Sequence, residues 1–192
     1  MVPINFQDAD RVHILLALDT GLSSMPSGAA KFSCMRCGKC CEGLVSEDKG
    51  VLRGLTLLPD EVGLFQPGMV EPAIGVGRGP RYKGFNVVAY QLVADVCPHR
   101  GDSQCLVYAS RPTSCRQFPF SLEPGDGGPM IGFDMNCPSA SALLGSGGGL
   151  ELPELEAADR LYRLKVLLAK NPRRAWFYDL GACRWVRADR LR

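Results

Sequence analysis

The chain has 192 residues, 46% of them apolar and 22% charged, with a net charge of +2. This composition supports a packed core and excludes wholesale disorder, and the charge is too small for a protein that coats nucleic acid by bulk attraction. No apolar run approaches the ~18 residues of a membrane helix, so no membrane partner is expected. The abnormal number is nine cysteines.

In chain order, residues 1–31 read as an N-terminal extension. The apolar run Ile14 to Leu18 is short and is flanked by Asp8, Asp10 and Asp19, unlike an export signal. Val12, Leu15, Leu16 and Ala17 predict a short helix that stops at Gly21. Without an export signal the expected compartment is the cytoplasm, where thiols stay reduced. Residues 32–138 hold eight of the nine cysteines and form the predicted cysteine-cluster domain. Within it, Val51 to Phe65 predicts an extended piece and then a short helix starting near Thr56 or Pro59. Residues 66–84, with five glycines and three prolines, predict a loop. Phe85 to Val96, rich in Val and aromatics, predicts a strand, and the Gly/Pro-rich stretch Glu123 to Pro129 predicts a turn. Residues 139–149 have the composition of a Ser/Gly linker.

Residues 150–192 predict a C-terminal helix and a basic aromatic tail. From Pro153 to Lys170, Leu155, Ala158, Leu161, Leu164 and Leu168 share one face. Glu151, Glu154 and Glu156 at the start and Lys165 and Lys170 near the end suit the helix dipole. Asn171-Pro172 stops the helix, and the remaining tail predicts a hairpin or a packed extension. The fold class expected is α+β, a small metal-stapled domain with modest regular structure plus the C-terminal helix.

The first cysteine block is Cys34-x2-Cys37-x2-Cys40-Cys41. A Cys-x2-Cys pair lets two thiolates converge on one metal at ~2.3 Å, because the intervening residues make a tight knuckle. Three cysteines at this repeat match the spacing that holds three corners of a [4Fe–4S] cube, with a remote fourth ligand followed by proline. Cys97-Pro98 and Cys137-Pro138 both have that form. Cys40 and Cys41, with Cα atoms ~3.8 Å apart, are too close for an unstrained disulfide. In an extended backbone their side chains would point to opposite sides, so that they serve two centres or one is a spare thiol. The second block, Cys97, Cys105, Cys115 and Cys137, has gaps too long for knuckles, so the fold must place each one. The eight thiols fit two four-thiolate centres, or one cluster with spare ligands. Arg36, Lys39, Arg111 and Arg116 lie inside the blocks, where they offset thiolate charge.

The segment Phe32 to Pro138 resembles the CxxCxxCC zinc- or iron-chelating family, the YkgJ-like cysteine cluster proteins. Three pieces carry the resemblance: Cys34-x2-Cys37-Gly38-x-Cys40-Cys41; Leu55-Thr56 with Asp60-Glu61; and Cys105-x2-Tyr108-x2-Arg111-Pro112-x2-Cys115-Arg116-x-Phe118-Pro119. It implies metal chelation by the eight cysteines and leaves zinc and iron open. A related cysteine cluster in bacterial flagellin lysine methylases is linked to an iron–sulfur centre, but this chain is much shorter than those enzymes.

Other features are weighed against this one. Tyr108, Pro112 and Phe118 read as the apolar wall of the metal site, and Arg111 and Arg116 as its buttress, although the arginines could instead bind an anion. His99 could be a ligand; a solvent-exposed position in a polar loop is the expected one. Cys183 reads as a packed or surface thiol outside the cluster, and His13 as structural or exposed. Gly75-x-Gly77-x-Gly79 superficially suggests a phosphate loop but lacks Lys-Ser/Thr. Residues 160–192 hold ten Lys/Arg against two Asp, leaving a net −6 in the first 159 residues. With Trp176, Phe177, Tyr178 and Trp185 among those bases, a nucleic-acid face is conceivable, but packing against the acidic remainder is favoured.

Three functions compete. One is a metal-chelating protein with an iron–sulfur cluster ([4Fe–4S] favoured) or zinc. The second is an iron–sulfur-dependent enzyme of electron or group transfer. The third is a zinc-stabilised interaction module presenting the basic tail.

Overall fold

The fold was analysed in a computed structural model that describes residues 11–14, 30–102, 104–125, 128–145, 150–151 and 154–191. The strands are β1 (Arg11–Ile14), β2 (Ala30–Lys31), β3 (Ser46–Asp48), β4 (Val51–Arg53), β5 (Leu55–Leu57), β6 (Val70–Val76), β7 (Asn86–Leu92), β8 (Phe120–Gly125), β9 (Gly128–Asp134), β10 (Leu150–Glu151), β11 (Ala175–Asp179) and β12 (Arg184–Arg187). The α-helices are α1 (Thr113–Gln117), α2 (Pro138–Gly145) and α3 (Leu155–Lys170). The fold class is α+β, as the sequence predicts.

The strands form an antiparallel five-stranded sheet of order β12-β11-β6-β7-β5, a three-stranded sheet β1-β9-β8, and the small pairs β10-β2 and β3-β4. Helix α3 lies between the two larger sheets. Leu161, Leu164 and Leu168 pack on Ile74, Ala89, Ala175 and Phe177 of the five-stranded sheet. Ala158 and Tyr162 pack on Phe120, Leu122, Ile131 and Phe133 of the other. A helix buried on two sides needs more than one apolar stripe. Lys165 accordingly turns inward, its ammonium bonded to Leu122 O and to Glu123 at 2.6 Å. That pairing answers the desolvation of both charges. A third cluster of Leu44, Leu55, Leu57, Phe65 and Leu92 lies under the cysteine loops.

Of the hairpin and the packed extension open to the tail, the structure has the hairpin, β11–β12, with Phe177 opposite Val186 and Tyr178 opposite Trp185. It is built into the main sheet, because β11 also pairs with β6. Segments 32–138 and 150–192 therefore share one sheet. Buried Gln91 ties three strands together: its amide accepts from Gly54 N–H and donates to Pro72 O and Tyr178 O.

Several expectations are corrected. Arg11–Ile14 is a strand, not the start of a helix, because its backbone pairs with β9; Leu15, Leu16 and Ala17 lie outside the described residues. The predicted 66–84 loop contains β6, whose Val70, Ile74 and Val76 outweigh the local Gly and Pro once β7 and β11 lie alongside. Where composition suggested a flexible linker, Pro138–Gly145 is helix α2; Pro138 suits a first helical position. Leu155, at the start of α3, is exposed instead of joining the apolar face. Val51 to Phe65 follows expectation, with β4 and β5 leading into a 3-10 helix at Pro59–Leu64. Among the described residues no helix is long and apolar enough to cross a membrane.

Candidate metal centre

The first cysteine block has little regular structure. Arg36 N–H donates to Cys34 Sγ at 3.4 Å, a bond that curls the chain around the sulfur. Gly38, at φ +77°, then turns it into the single 3-10 turn Lys39–Cys41, where Cys41 N–H donates to Gly38 O. A glycine takes that left-handed backbone without a Cβ penalty. This turn corrects the extended geometry expected for Cys40 and Cys41: their thiols are hydrogen-bonded to each other instead of pointing apart.

The two blocks meet at Cys97. Its N–H donates to Cys41 O at 2.8 Å, and its thiol neighbours that of Cys41. The Arg100 N–H donates to Cys97 O at 3.1 Å. Just before α2, Cys137 O accepts from Ala140 N–H at 3.1 Å and from Ser141 N–H at 3.0 Å. The two Cys-Pro sequences thus build the same local turn: proline follows the cysteine, and the amide three residues on bonds the cysteine carbonyl.

Cys115 sits in α1, which a buried carboxylate holds in place. Glu61 accepts from Thr113 N–H at 2.6 Å, from the Thr113 hydroxyl and, through its other oxygen, from Leu58 N–H at 2.8 Å. The Ser114 hydroxyl donates to Thr56 O at 2.6 Å. Leu55-Thr56, Asp60-Glu61 and the residues before Cys115 are therefore one spatial unit. Asp60 adds an ion pair with Arg160 of α3 at 3.0 Å.

All eight cysteines of the two blocks line one cavity of about 230 Å³. Tyr108, Arg111, Pro112, Arg116 and Phe118 line it too. The Arg111 guanidinium lies 3.9 Å from the Tyr108 ring centroid, and that of Arg36 at 4.7 Å. Arg111 and Arg116 both pair with Glu154. A charge on Arg111 also lowers the Cys115 thiol pKa. Glu154, which composition marked only as a helix-start acid, borders the cavity and draws α3 to the cysteine loops. No sequence signal ties it to arginines some forty positions earlier.

The environment keeps several thiols protonated. The hydrogen bond from Cys40 and partial burial push Cys41 up to about 11, although its bond to Cys97 acts the other way. The same Cys41 contact and burial push Cys97 well above its ordinary value. Burial, then charge on Cys97, Cys41 and Cys105, pushes Cys115 up. Burial also raises Cys137, opposed by the amides of Ala140 and Ser139. Thiols this reluctant to ionise in the metal-free chain ionise readily when a cation takes the proton's place. Among the described residues no three Cys, His, Asp or Glu side chains converge closely enough to hold a lone ion as they stand. The donors that face the cavity are overwhelmingly sulfur, a set that suits zinc and iron–sulfur clusters and not hard cations.

Of the remaining candidates, His99 also borders the cavity and is half-buried, not solvent-exposed: its Nε2 donates to Leu64 O at 2.7 Å and its ring packs on Phe65. Cys183 is exposed in the β11–β12 turn. The glycines of the apparent phosphate loop make room for aromatics, since a Cβ on Gly75 would lie 2.1 Å from the Phe85 ring. In the basic tail, Arg160, Arg163, Lys165 and Arg187 each pair with a carboxylate of this chain.

A family model described as "CxxCxxCC: Putative zinc- or iron-chelating domain" matches residues 33–138, more than half of the chain. No curated protein and no solved structure matches it.

Proposed function

The chain belongs to the CxxCxxCC family of zinc- or iron-chelating domains, and on that premise we propose that its eight clustered cysteines hold iron–sulfur in preference to zinc. One observation carries the reading: cysteines as far apart in sequence as Cys34 and Cys137 line a single cavity. The cavity volume, about 230 Å³, supports a group of several atoms, since one water occupies ~30 Å³ of liquid. A lone zinc held at ~2.3 Å by sulfur would need no such space. The Cys34-x2-Cys37-x2-Cys40 repeat and the Cys-Pro anchors support the same choice.

The bound group would supply a redox-active or charge-bearing centre. The protein's own residues would do the rest. Backbone amides after Cys97 and Cys137 favour the thiolate form of each, and the Arg36 N–H bonds Cys34 Sγ. Arg111 offsets thiolate charge near Cys115. Tyr108, Pro112 and Phe118 restrict water. Glu61 and Ser114 set the position of Cys115 from behind.

The test is elemental. Protein purified without oxygen is expected to be brown, to absorb near ~400 nm, and to contain iron and inorganic sulfide. Colourless protein carrying zinc alone overturns the iron–sulfur reading and keeps metal chelation. Protein carrying neither metal overturns both.

A further inference from the structure

The cavity wall is not uniform. Cys41 and Cys97 are joined by the Cys97 N–H to Cys41 O bond, and Cys97 and Cys115 pack against one apolar cluster. Cys105 belongs to the same neighbourhood through its β-bridge with Arg100, and its charge reaches Cys115 and Cys41. Cys137 instead feels Cys37 and Cys34. Each neighbourhood contains one Cys-Pro turn, closed by the amide three residues on, which bonds the cysteine carbonyl. Cys40 lies at the boundary. It adjoins Cys41 in the chain, yet it also lines a second cleft bordered by Asp134 and Asn136, the residues that lead into Cys137.

We infer that the cavity houses two four-thiolate centres side by side, one on Cys34, Cys37, Cys40 and Cys137 and the other on Cys41, Cys97, Cys105 and Cys115, with the Cys40–Cys41 peptide as their joint. The inference rests on the metal-chelating reading and adds the ligand assignment. Counting alone allows two sets of four; it does not say which four. These neighbour relations make the assignment, and the matched Cys-Pro turns make the centres alike in construction. The 3-10 turn at Lys39–Cys41 lets consecutive residues serve both: Cys40 lines the cleft toward Asn136 while Cys41 O takes the Cys97 amide. Binding must also draw each set inward, since the thiols do not converge on single points as they stand. Two anionic centres with a shared wall would repel unless cations stand between them. Arg36 and Arg111, which line the cavity against the Tyr108 ring, would supply that charge.

The experiment uses the full chain purified anaerobically, its iron, sulfide and zinc counted, and its unprotected thiols alkylated and mapped by mass spectrometry. Cys34→Ser is expected to keep about half of the wild-type metal, exposing Cys37, Cys40 and Cys137 to alkylation while Cys41, Cys97, Cys105 and Cys115 stay protected. Cys105→Ser is expected to give the mirror image. Should either variant fail to fold, the wild type answers alone: under a chelator its eight thiols should become reactive in two groups of four with this membership. A single group, or groups drawn from both sets, overturns the assignment while leaving metal chelation intact. A wild-type chain with no metal at all overturns the chelating reading itself.

Discussion

The sheet–helix–sheet body and the cysteine rim that sits on it are held by different physics. In the body, Phe177, Ile74, Leu161 and Phe133 are essentially inaccessible to water, and the strands carry regular ladders on both sides of α3. The rim runs through Cys34 to Cys41 and Cys97 to Cys115. It has single turns for secondary structure, and its cysteines are exposed or half-buried. A few hydrogen bonds to sulfur and the Glu61 buttress stand in for a core there. The lesson is a division of labour: apolar burial builds the platform, and the rim is left dependent on what its sulfurs bind. The structure thus gives segment 32–138 two characters, since it supplies strands to the body as well as the rim.

The largest perturbation removes the metal. A structural four-thiolate zinc contributes on the order of 10–16 kcal/mol of apparent binding energy. Strong chelation should therefore abolish slow amide exchange in residues 34–44 and 97–108 while β6, β7 and β11 stay protected. Uniform loss of protection across the chain would erase the division between body and rim.

Next comes the body. Phe177→Ala removes a fully buried ring that packs under α3 and beneath Arg53. It should cost ~3–5 kcal/mol and lower the thermal midpoint, with metal per folded chain unchanged. Loss of metal from chains that remain folded would show that the two regions are not separable.

Glu61→Gln tests the seam between them. The amide keeps the shape but replaces a carboxylate that accepts three hydrogen bonds. Stability should fall by ~1–3 kcal/mol, and metal should leave faster because Cys115 loses its support. Unaltered metal release would remove Glu61 from the account of the site.

The mildest perturbation is pH. Contact with Cys40 and burial hold the Cys41 proton up to about 11 in the folded metal-free chain, against about 9 ordinarily. Between those values the unfolded state binds fewer protons than the folded one. Stability of the metal-free chain should therefore fall as pH rises from about 9 to about 11, and Cys41 should contribute no pH dependence below that window. With metal bound the sign reverses: binding displaces thiol protons, so affinity should rise with pH until those thiols ionise unaided. Denaturation curves with and without metal check both signs.

The sequence by itself determined the chemistry. Cys34, Cys37 and Cys40 at knuckle spacing, two Cys-Pro pairs and the Tyr108-to-Phe118 segment mark a sulfur-rich site, because such spacing is a local property of the backbone. It also determined α3 and β7, whose apolar periodicity and residue preferences act over a few positions. Only the tertiary structure decided which thiols are neighbours, that Glu61 and Glu154 hold the site from opposite sides, that His99 packs on Phe65, and that Arg11–Ile14 and Val70–Val76 are strands. Those outcomes depend on partners far away in the chain: a strand is completed by the ladder beside it, and a carboxylate gains its role from the amides and arginines that reach it.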